Sequence, residues 1–328
     1  MKAILVRENE RLEWTDVEDP QIGKDEVLVK TAYAAVNRAD LMQRAGDYPP
    51  PPSCPEWMGL EIAGEIMDMG EIAREKSNFH IGDKVCALLG GGGYAEYAAV
   101  KYDMLMPIPE NVGMVEAAAM PEAFATAYLN LFIEGKMHPG DTVLMQAGAS
   151  GLASVVISMA KAFGARVLTT IIDEDKRAAV EKLGADLVVN TKTESLKDVL
   201  VAELAAGHPV TVTIDCLGGA GMGECLPYMA HGGRWIVIAA LAGRVTEIDL
   251  KNIYVRNLRI IGSTLRSRTP AVKAEILRSL VRDVWGKVSS GKVRPTVDSV
   301  LPITEAEAAH ALLSENKSCG KVVLRISD

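Results

Sequence analysis

Cysteine is scarce in this chain and forms no obvious pairs. The 328 residues include five cysteines, none of them in a C-x-x-C pair, at Cys54, Cys86, Cys216, Cys225 and Cys319. An odd, scattered set excludes a disulfide framework and argues against a structural zinc site, because both need thiols at suitable spacing. The cysteines therefore indicate reduced thiols in a cytosolic protein.

Long apolar runs and an excess of positive charge are also missing. Between Lys2 and Arg7 there are only four consecutive apolar residues, which is too few for a signal peptide. No segment approaches the ~20 apolar residues that span a bilayer. The chain has 35 Lys and Arg against 43 Asp and Glu, a net charge of −8, so its surface repels a phosphate backbone. We therefore expect a cytoplasmic protein with no membrane segment and no nucleic acid partner.

The chain has enough apolar residues for about two domains. Apolar residues make up 48% of the sequence, and at ~150 residues per domain its length predicts two cores. The first part combines short β-prone runs, such as 84–88, with turns. From about residue 120, apolar strands such as 187–190 alternate with helices such as 175–183, which is the pattern of a doubly wound parallel sheet in an α/β fold. Two amphipathic helices and a last strand follow, at 271–288, 304–314 and 320–326.

A glycine-rich turn between a predicted strand, 142–146, and a predicted helix, 151–163, is the strongest local signal. Gly148 and Gly151 allow a tight turn and the close approach of a pyrophosphate to the start of the helix, where free amides and the helix dipole favour an anion. Ser150 stands where a strict dinucleotide fingerprint has glycine. We interpret the turn as a nucleotide site because it joins a strand to a helix, as the dinucleotide-binding turn of a Rossmann fold does.

The tip of the next strand is where the adenosine ribose of a dinucleotide should lie. A carboxylate there, such as Asp173, favours the 2′-hydroxyl of NADH, whereas Lys176 and Arg177 favour the 2′-phosphate of NADPH. The alternative is that Asp173 only caps the helix that follows it.

Short motifs that resemble one known family run through the whole chain. They are residues 36–44 (VNRADLMQR), 48–51 (YPPP), 59–61 (GLE), 90–97 (GGGGYAEY), 106–110 (MPIPE), 118–123 (AAMPEA), 265–268 (LRSR) and 315–324 (ENKSCGKVVL). In these motifs the chain resembles the zinc-free quinone oxidoreductase branch of the medium-chain dehydrogenase/reductase superfamily, and within it the tumour-suppressor-inducible quinone oxidoreductase-like subgroup. The resemblance implies a mostly-β, GroES-like catalytic domain, 1–122 and 266–328, into which a Rossmann dinucleotide-binding domain, 123–265, is inserted. The nicotinamide would lie in the cleft between them.

The resemblance also implies that no metal is bound. Zinc-dependent relatives carry Cys, His and Cys where this chain has Asn37, Leu60 and Glu122. Without a Lewis acid, alcohol oxidation loses the means to stabilise an alkoxide, whereas a quinone delocalises the charge that it gains. Hydride transfer to a quinone then needs positioning and one or two hydrogen-bond donors.

By the same resemblance, Asn37 and Tyr48 are the expected catalytic residues. The Asn37 amide would position the cofactor or the acceptor, and the Tyr48 hydroxyl would donate to the developing phenolate. The alternatives are an asparagine that caps a turn and a tyrosine that packs beside the prolines.

The expected cofactor contacts carry over from the family motifs. With Asn37 they are Gly148, Ser150, Gly151, Leu152, Asp173, Lys176, Thr191, Cys216, Leu217, Ile238, Ala239, Ala240, Leu265, Arg266 and Arg268. Relatives usually have Gly and a small hydroxyl residue where this chain has Ile172 and Asp173, and often Tyr where it has Thr191. Lys176 matches a lysine that contacts phosphate, so the resemblance favours NADPH, with NAD also possible. Either arginine is alternatively a solvated surface charge.

The resulting hypothesis is an NADPH-dependent, zinc-independent quinone oxidoreductase. Reduction of enone or alkenal double bonds is the alternative on the same scaffold. A nucleotide- or RNA-binding protein like those of the ζ-crystallin group is an alternative of another class, which the net charge of −8 disfavours. Relatives pair the edge strands of their Rossmann sheets, so the resemblance implies a homodimer, with 257–263 as the candidate edge.

Overall fold

A computed structural model describes residues 1–327, and the chain divides into two compact units. Unit 1 contains Met1–Ala125, Arg266–Ser289 and the residues from Pro295 onward. Unit 2 contains Thr126–Leu265 and Ser290–Arg294. Unit 1 is therefore discontinuous in sequence, because the chain leaves it after Ala125 and returns at Arg266.

The amino-terminal part of the chain is mostly β. Its strands are β1 (Lys2–Val6), β2 (Leu12–Asp16), β3 (Glu26–Ala35), β4 (Glu61–Met69), β5 (Lys84–Leu88), β6 (Tyr97–Lys101) and β7 (Leu105–Pro107). Its helices are α1 (Arg38–Arg44), α2 (Glu71–Lys76), α3 (Met114–Ala118) and α4 (Pro121–Tyr128). Strands β1 and β2 form an antiparallel pair. Strand β3 pairs with both β4 and β6, so it lies at the centre of the larger sheet.

Unit 2 is built on six parallel strands. They are β8 (Thr142–Met145), β9 (Arg166–Ile171), β10 (Leu187–Asn190), β11 (Val212–Asp215), β12 (Arg234–Val237) and β13 (Arg259–Gly262). The helices are α5 (Gly151–Ala162), α6 (Arg177–Lys182), α7 (Leu196–Ala205), α8 (Gly219–Cys225) and α9 (Leu250–Val255), with a π-helix at Leu129–Glu134. The spatial order β10-β9-β8-β11-β12-β13 is that of a Rossmann sheet. The strand order reverses between β8 and β11, where such sheets bind ligands.

The returning segment completes the sheet of unit 1. It contains α10 (Pro270–Ser289), β14 (Val297–Pro302), α11 (Ala306–Ser314) and β15 (Lys321–Arg325). Strand β15 pairs antiparallel with β3 and parallel with β14, giving the order β14-β15-β3-β4-β5-β7, with β6 also on β3. Together with the Rossmann sheet of unit 2, this confirms the predicted α/β fold class.

Apolar strands explain the core of unit 2. Both faces of its parallel sheet are covered, so strands such as β8 and β11 are buried along their whole length. Trp235 is fully buried in this core, and its indole N–H donates to Asp215 at 2.8 Å. Over residues 1–327, no helix is long and apolar enough to cross a membrane.

Candidate functional site

The glycine-rich turn after β8 is held against the neighbouring strand β9. A Cβ at Gly148 would lie 2.5 Å from Thr169 Oγ1, so the backbone passes at a distance that only glycine allows. The Thr170 hydroxyl accepts the N–H of Ala147 at 3.0 Å, and the Thr170 carbonyl accepts the N–H of Gly148 at 2.7 Å. The turn is therefore fixed before any ligand binds.

Helix α5 begins directly after this turn. The hydroxyl of Ser150 caps the helix by accepting the N–H of Ala153 at 3.2 Å. The first N–H groups of a helix have no acceptor within it, so Gly151 and Leu152 present donors to an anion. Together with Gly148, these residues form a cradle that fits the pyrophosphate of a dinucleotide.

The ends of β9 and β10 bring Asp173 and Lys176 together with a lysine that sequence reasoning missed. Asp173 Oδ1 accepts a hydrogen bond from Lys192 Nζ at 2.9 Å, and its Oδ2 lies 3.7 Å from Lys176 Nζ. The hydrogen bond from Lys192 holds the pKa of Asp173 below its usual range. The side chain of Asp173 makes no capping bond to the helical turn that follows, so the capping alternative is wrong. Thr191 lies beside them, and its N–H donates to Ile171 at 3.0 Å.

The other predicted cofactor residues of unit 2 follow β11 and β12. They are Cys216, Leu217, Ile238, Ala239 and Ala240, and the unit's main segment ends at Leu265, which is buried. The carboxylate of Asp215 accepts the N–H of Leu217 at 2.8 Å, and its carbonyl accepts the N–H of Ile238 at 2.8 Å. Because the strands are parallel, these segments share one edge of the sheet with the glycine-rich turn.

In unit 1, the side-chain amide of Asn37 is bonded at both ends. Its Nδ2 donates to Glu61 Oε1 at 2.9 Å, and its Oδ1 accepts from Lys321 Nζ at 2.6 Å. Lys321 Nζ also lies 2.5 Å from Glu61 Oε1, and Glu61 Oε2 accepts the N–H of Glu122 at 2.8 Å. The side chains of Glu61 and Lys321 are only 0% and 4% exposed. This buried cluster fixes the orientation of the Asn37 amide.

A second buried cluster surrounds Asp40. Its Oδ2 accepts the N–H of Asn37 at 2.8 Å and the hydroxyl of Tyr94 at 3.2 Å, while its Oδ1 accepts the N–H of Gly59 at 3.1 Å. The Tyr94 hydroxyl also lies 3.4 Å from His310 Nε2. Burial raises the pKa of Asp40 to about 6 and lowers the pKa of His310 to about 4. The cluster ties the backbone at Asn37 to the backbone at Gly59.

Tyr48 is held by the guanidinium of Arg266. The guanidinium carbon lies 4.7 Å from the centroid of the Tyr48 ring, and Nη1 donates to the Tyr48 carbonyl at 3.1 Å. Nη2 donates to Gln43 Oε1 at 2.7 Å and to the Gly90 carbonyl at 2.9 Å. Arg266 is only 8% exposed, so it is not a solvated surface charge. Burial raises the pKa of the Tyr48 hydroxyl, and the charge of Arg266 opposes that shift.

Tyr48 and Arg266 line a cavity of about 430 Å³, whose walls are made entirely of unit 1 residues. Prolines, Leu88, Leu89 and Met104 supply apolar walls, and Arg268 and Lys273 supply charge. Its volume is within the range of small-molecule sites.

Comparisons with known proteins match family models to both parts of the chain described above. A family model described as zinc-binding dehydrogenase matches residues 151–282, and one described as alcohol dehydrogenase GroES-like domain matches residues 23–110. The chain is 30% identical over 307 residues to quinone oxidoreductase-like protein 2 homolog of Nematostella vectensis, covering 92% of this chain and 82% of that protein. It is 29% identical over 315 residues to quinone oxidoreductase of Mus musculus, covering 94% and 92%.

The chain belongs to the medium-chain dehydrogenase/reductase superfamily. The solved quinone oxidoreductase of Thermus thermophilus, also determined in complex with NADPH, is 30% identical, with a TM-score of 0.82 over 99% of this chain and 100% of that one. This medium-chain dehydrogenase/reductase is therefore an oxidoreductase that uses a nicotinamide cofactor.

The three positions for which the sequence resemblance implies zinc ligands in zinc-dependent relatives carry Asn37, Leu60 and Glu122 here. One carboxylate oxygen of Glu61 accepts a hydrogen bond from the Asn37 amide, and the other accepts the N–H of Glu122. The third of these positions, Leu60, is buried. The positive charge among these groups comes from the ammonium of Lys321. Zinc prefers thiolate and imidazole ligands, and this set contains neither. Over residues 1–327, no group of three or more His, Cys, Asp or Glu side chains is arranged to hold a metal ion.

Sequence reasoning missed several of the residues that build the site. Lys321, Glu61 and Gln43 lie inside the family motifs, but the motifs do not show that Lys321 meets Glu61 or that Arg266 meets Gln43. Lys192 lies outside every motif. The parallel pairing of β9 with β10 is the one signal that could have placed it near Asp173.

Proposed function

We propose that this oxidoreductase transfers a hydride from NADPH to a quinone without zinc. The observation that carries the proposal is the pairing of Tyr48 with Arg266 at the wall of the unit 1 cavity. A phenol under a fixed cation is a suitable donor to a quinone oxygen that gains negative charge. The names of the relatives in Nematostella vectensis, Mus musculus and Thermus thermophilus support the same substrate class.

In this proposal the Rossmann unit holds the cofactor. Gly148, Ser150, Gly151 and Leu152 bind the pyrophosphate, and Asp173, Lys176 and Thr191 surround the adenosine ribose. The segments at Cys216 and Leu217 and at Ile238, Ala239 and Ala240 line the path toward the nicotinamide. When bound, the nicotinamide supplies the hydride.

Tyr48 and Asn37 have different roles in this proposal. The Tyr48 hydroxyl donates a hydrogen bond to the acceptor oxygen and so stabilises the negative charge that this oxygen gains with the hydride, while the proton that completes the phenol comes from solvent. Since the Asn37 amide is engaged by Lys321 and Glu61, we expect it to position the cofactor or the acceptor in a fixed orientation and to transfer no proton.

Arg266 and its neighbours complete the acceptor site. Because its guanidinium already has three acceptors in Tyr48, Gly90 and Gln43, we infer that Arg266 acts through Tyr48, while Leu265 and Arg268 remain candidates for direct cofactor contacts.

The donor set supports the proposal that the reaction needs no zinc. Asn37, Leu60 and Glu122 replace the ligands of zinc-dependent relatives, and the buried ammonium of Lys321 would oppose a dication among them. Quinone reduction tolerates this because the acceptor delocalises its own charge.

The test is oxidation of NADPH and of NADH, followed by absorbance, with 1,2-quinones, 1,4-quinones, enones and alkenals. The proposal expects turnover with at least one quinone, at a rate that chelator treatment and added zinc leave unchanged. Turnover with enones alone would replace the proposal by double-bond reduction. Tight dinucleotide binding with no turnover of any acceptor would favour the binding-protein alternative.

We also propose that the enzyme is a homodimer joined at the β13 edge of the Rossmann sheet. The edge strand exposes Ile260 at 43%, and Leu250 and Tyr254 in α9, the helix that precedes β13 in the chain, are 72% and 69% exposed. Light scattering is expected to give twice the chain mass, and Ile260→Lys is expected to give monomers. A monomeric wild-type protein would contradict this proposal.

A further inference from the structure

Lys273 is a buried cation without a carboxylate partner. It lies near the start of α10 and is only 9% exposed. An ammonium has three N–H donors, and that of Lys273 donates one hydrogen bond, to the Arg266 carbonyl at 2.8 Å. Over residues 1–327, no acidic side chain lies within ion-pair distance of it. Burial lowers the pKa of Lys273, and the charge of Glu122 opposes that shift only in part.

Arg266 is a second buried cation whose hydrogen-bond acceptors are all neutral. Its guanidinium donates to the carbonyls of Tyr48 and Gly90 and to the side-chain oxygen of Gln43. Because its own carbonyl accepts from Lys273, Arg266 connects that ammonium to the guanidinium that lies over the Tyr48 ring. Two buried positive charges are therefore neighbours, and neither is neutralised by an ion pair within residues 1–327.

Folding stability does not explain this arrangement. A buried charge without a counter-charge costs free energy, and proteins usually pair such groups. The position of Lys273 adds to that cost, because α10 begins at Pro270 and cations are unfavourable near the positive end of a helix dipole. A ligand that brings a negative charge would supply the missing counter-charge.

Both cations line the unit 1 cavity, whose other walls suit an apolar ligand with one anionic group. Lys101 and Arg268 also line it, and Glu26 is the one carboxylate among its described lining residues. Lys101 is paired with Asp25, so its charge is already neutralised. Three prolines and apolar side chains such as Leu88 form much of the remaining wall. The cavity therefore has room for a planar apolar ring and an excess of positive charge.

We propose that this cavity selects quinones that carry a carboxylate, and that Lys273 binds the carboxylate while Tyr48 donates to the quinone oxygen. This rests on the quinone reduction proposed above. An ammonium binds a carboxylate through charge-assisted hydrogen bonds, which are among the strongest in proteins. A neutral quinone leaves the ammonium of Lys273 buried and unpaired, so the site discriminates against it.

A matched pair of acceptors tests this in steady-state kinetics with NADPH. The acid is 3-(1,4-benzoquinonyl)propanoate, and the neutral partner is its methyl ester, which keeps the ring and the chain. The wild-type KM for the acid is expected to be at least about tenfold lower than the KM for the ester, with similar kcat, because the carboxylate lies away from the reacting carbonyl.

Variants at position 273 assign the preference to the ammonium. Lys273→Met keeps an unbranched apolar side chain and is expected to raise KM for the acid about tenfold while leaving KM for the ester unchanged. Lys273→Arg keeps the charge and is expected to retain part of the preference. The matched control is Lys287→Met, which removes an ammonium from the last turn of the same helix, outside the cavity walls, and is expected to change neither KM.

Calorimetric titration with the reduced compounds gives a readout that needs no hydride transfer. The wild type is expected to bind 3-(2,5-dihydroxyphenyl)propanoate about tenfold more tightly than its methyl ester, and Lys273→Met is expected to bind the two alike. If that result were obtained without turnover of any quinone, the quinone proposal would fail while carboxylate binding by Lys273 would stand.

Three results would overturn the inference. The first is a wild-type protein that treats the acid and the ester alike, and the second is a Lys273→Met variant that keeps the preference. The third is a weaker Kd for NADPH in Lys273→Met, because the ammonium would then bind a phosphate of the cofactor instead of a carboxylate of the acceptor.

Discussion

Replacing Lys321 by Met tests the buried cluster that orients Asn37. The change removes the ammonium that lies 2.5 Å from Glu61 Oε1, and the Glu61 side chain is 0% exposed. Removing one partner of a buried ion pair typically costs about 3–5 kcal/mol, because the other charge stays buried without compensation. Glu61 keeps two neutral donors, Asn37 Nδ2 and the N–H of Glu122. We therefore expect the free energy of unfolding to fall by about 3 kcal/mol, at the lower end of that range.

The assay is urea unfolding of the single and double variants. Removing both charges, in Lys321→Met with Glu61→Gln, is expected to cost about 2 kcal/mol less than the sum of the single changes. The control is Lys101→Met, which breaks an ion pair of the same 2.5 Å length to Asp25 that is 38% and 44% exposed. That control is expected to cost less than about 1 kcal/mol. The reasoning would be refuted if Lys321→Met lowered the free energy of unfolding no more than Lys101→Met does. It would also be refuted if the effects of Lys321→Met and Glu61→Gln simply added in the double variant.

Two further predictions concern the nucleotide turn and the response to pH. Gly148→Ala places a Cβ 2.5 Å from Thr169 Oγ1, so dinucleotide affinity measured by titration is expected to fall at least about tenfold, and Thr169→Ala is expected to restore part of it. Relative to the wild type, His310→Asn is expected to lose about 2 kcal/mol of stability in urea unfolding as pH rises from about 4 to about 6, because the variant lacks the gain that the lowered pKa of His310 gives the wild type. In the wild type, the raised pKa of Asp40 makes stability fall as pH rises over this interval, whereas the lowered pKa of His310 makes stability rise. A His310→Asn variant whose stability depends on pH as the wild type's does would contradict this prediction.

Much of the fold could be predicted from local sequence. The runs that became β5 and β10 were predicted with the same bounds as observed, because buried strands bounded by turn residues stand out as short apolar segments. Strand β14, Val297–Pro302, was not predicted. Its residues alternate between half-buried and exposed, and its pairing partner lies on the far side of a helix in sequence. The predicted helix 175–183 is split into a 3₁₀ turn, Glu174–Lys176, and α6.

The site was predictable where it depends on local motifs and not where it depends on distant contacts. The glycine-rich turn and the Ser150 cap follow from their own few residues. The pairs Lys321 with Glu61 and Arg266 with Gln43 join segments more than two hundred residues apart. No local propensity encodes such a pair, so the role of each residue becomes visible only in the folded chain.

The most direct test of the central claim is the turnover of a 1,4-quinone by Tyr48→Phe. This variant keeps the ring beneath Arg266 and removes only the hydroxyl, so kcat with NADPH is expected to fall about 10- to 100-fold while the Kd for NADPH stays unchanged. The matched control is Tyr33→Phe in β3, a half-buried tyrosine outside the cavity walls, which is expected to change neither. Wild-type turnover by Tyr48→Phe would contradict the account.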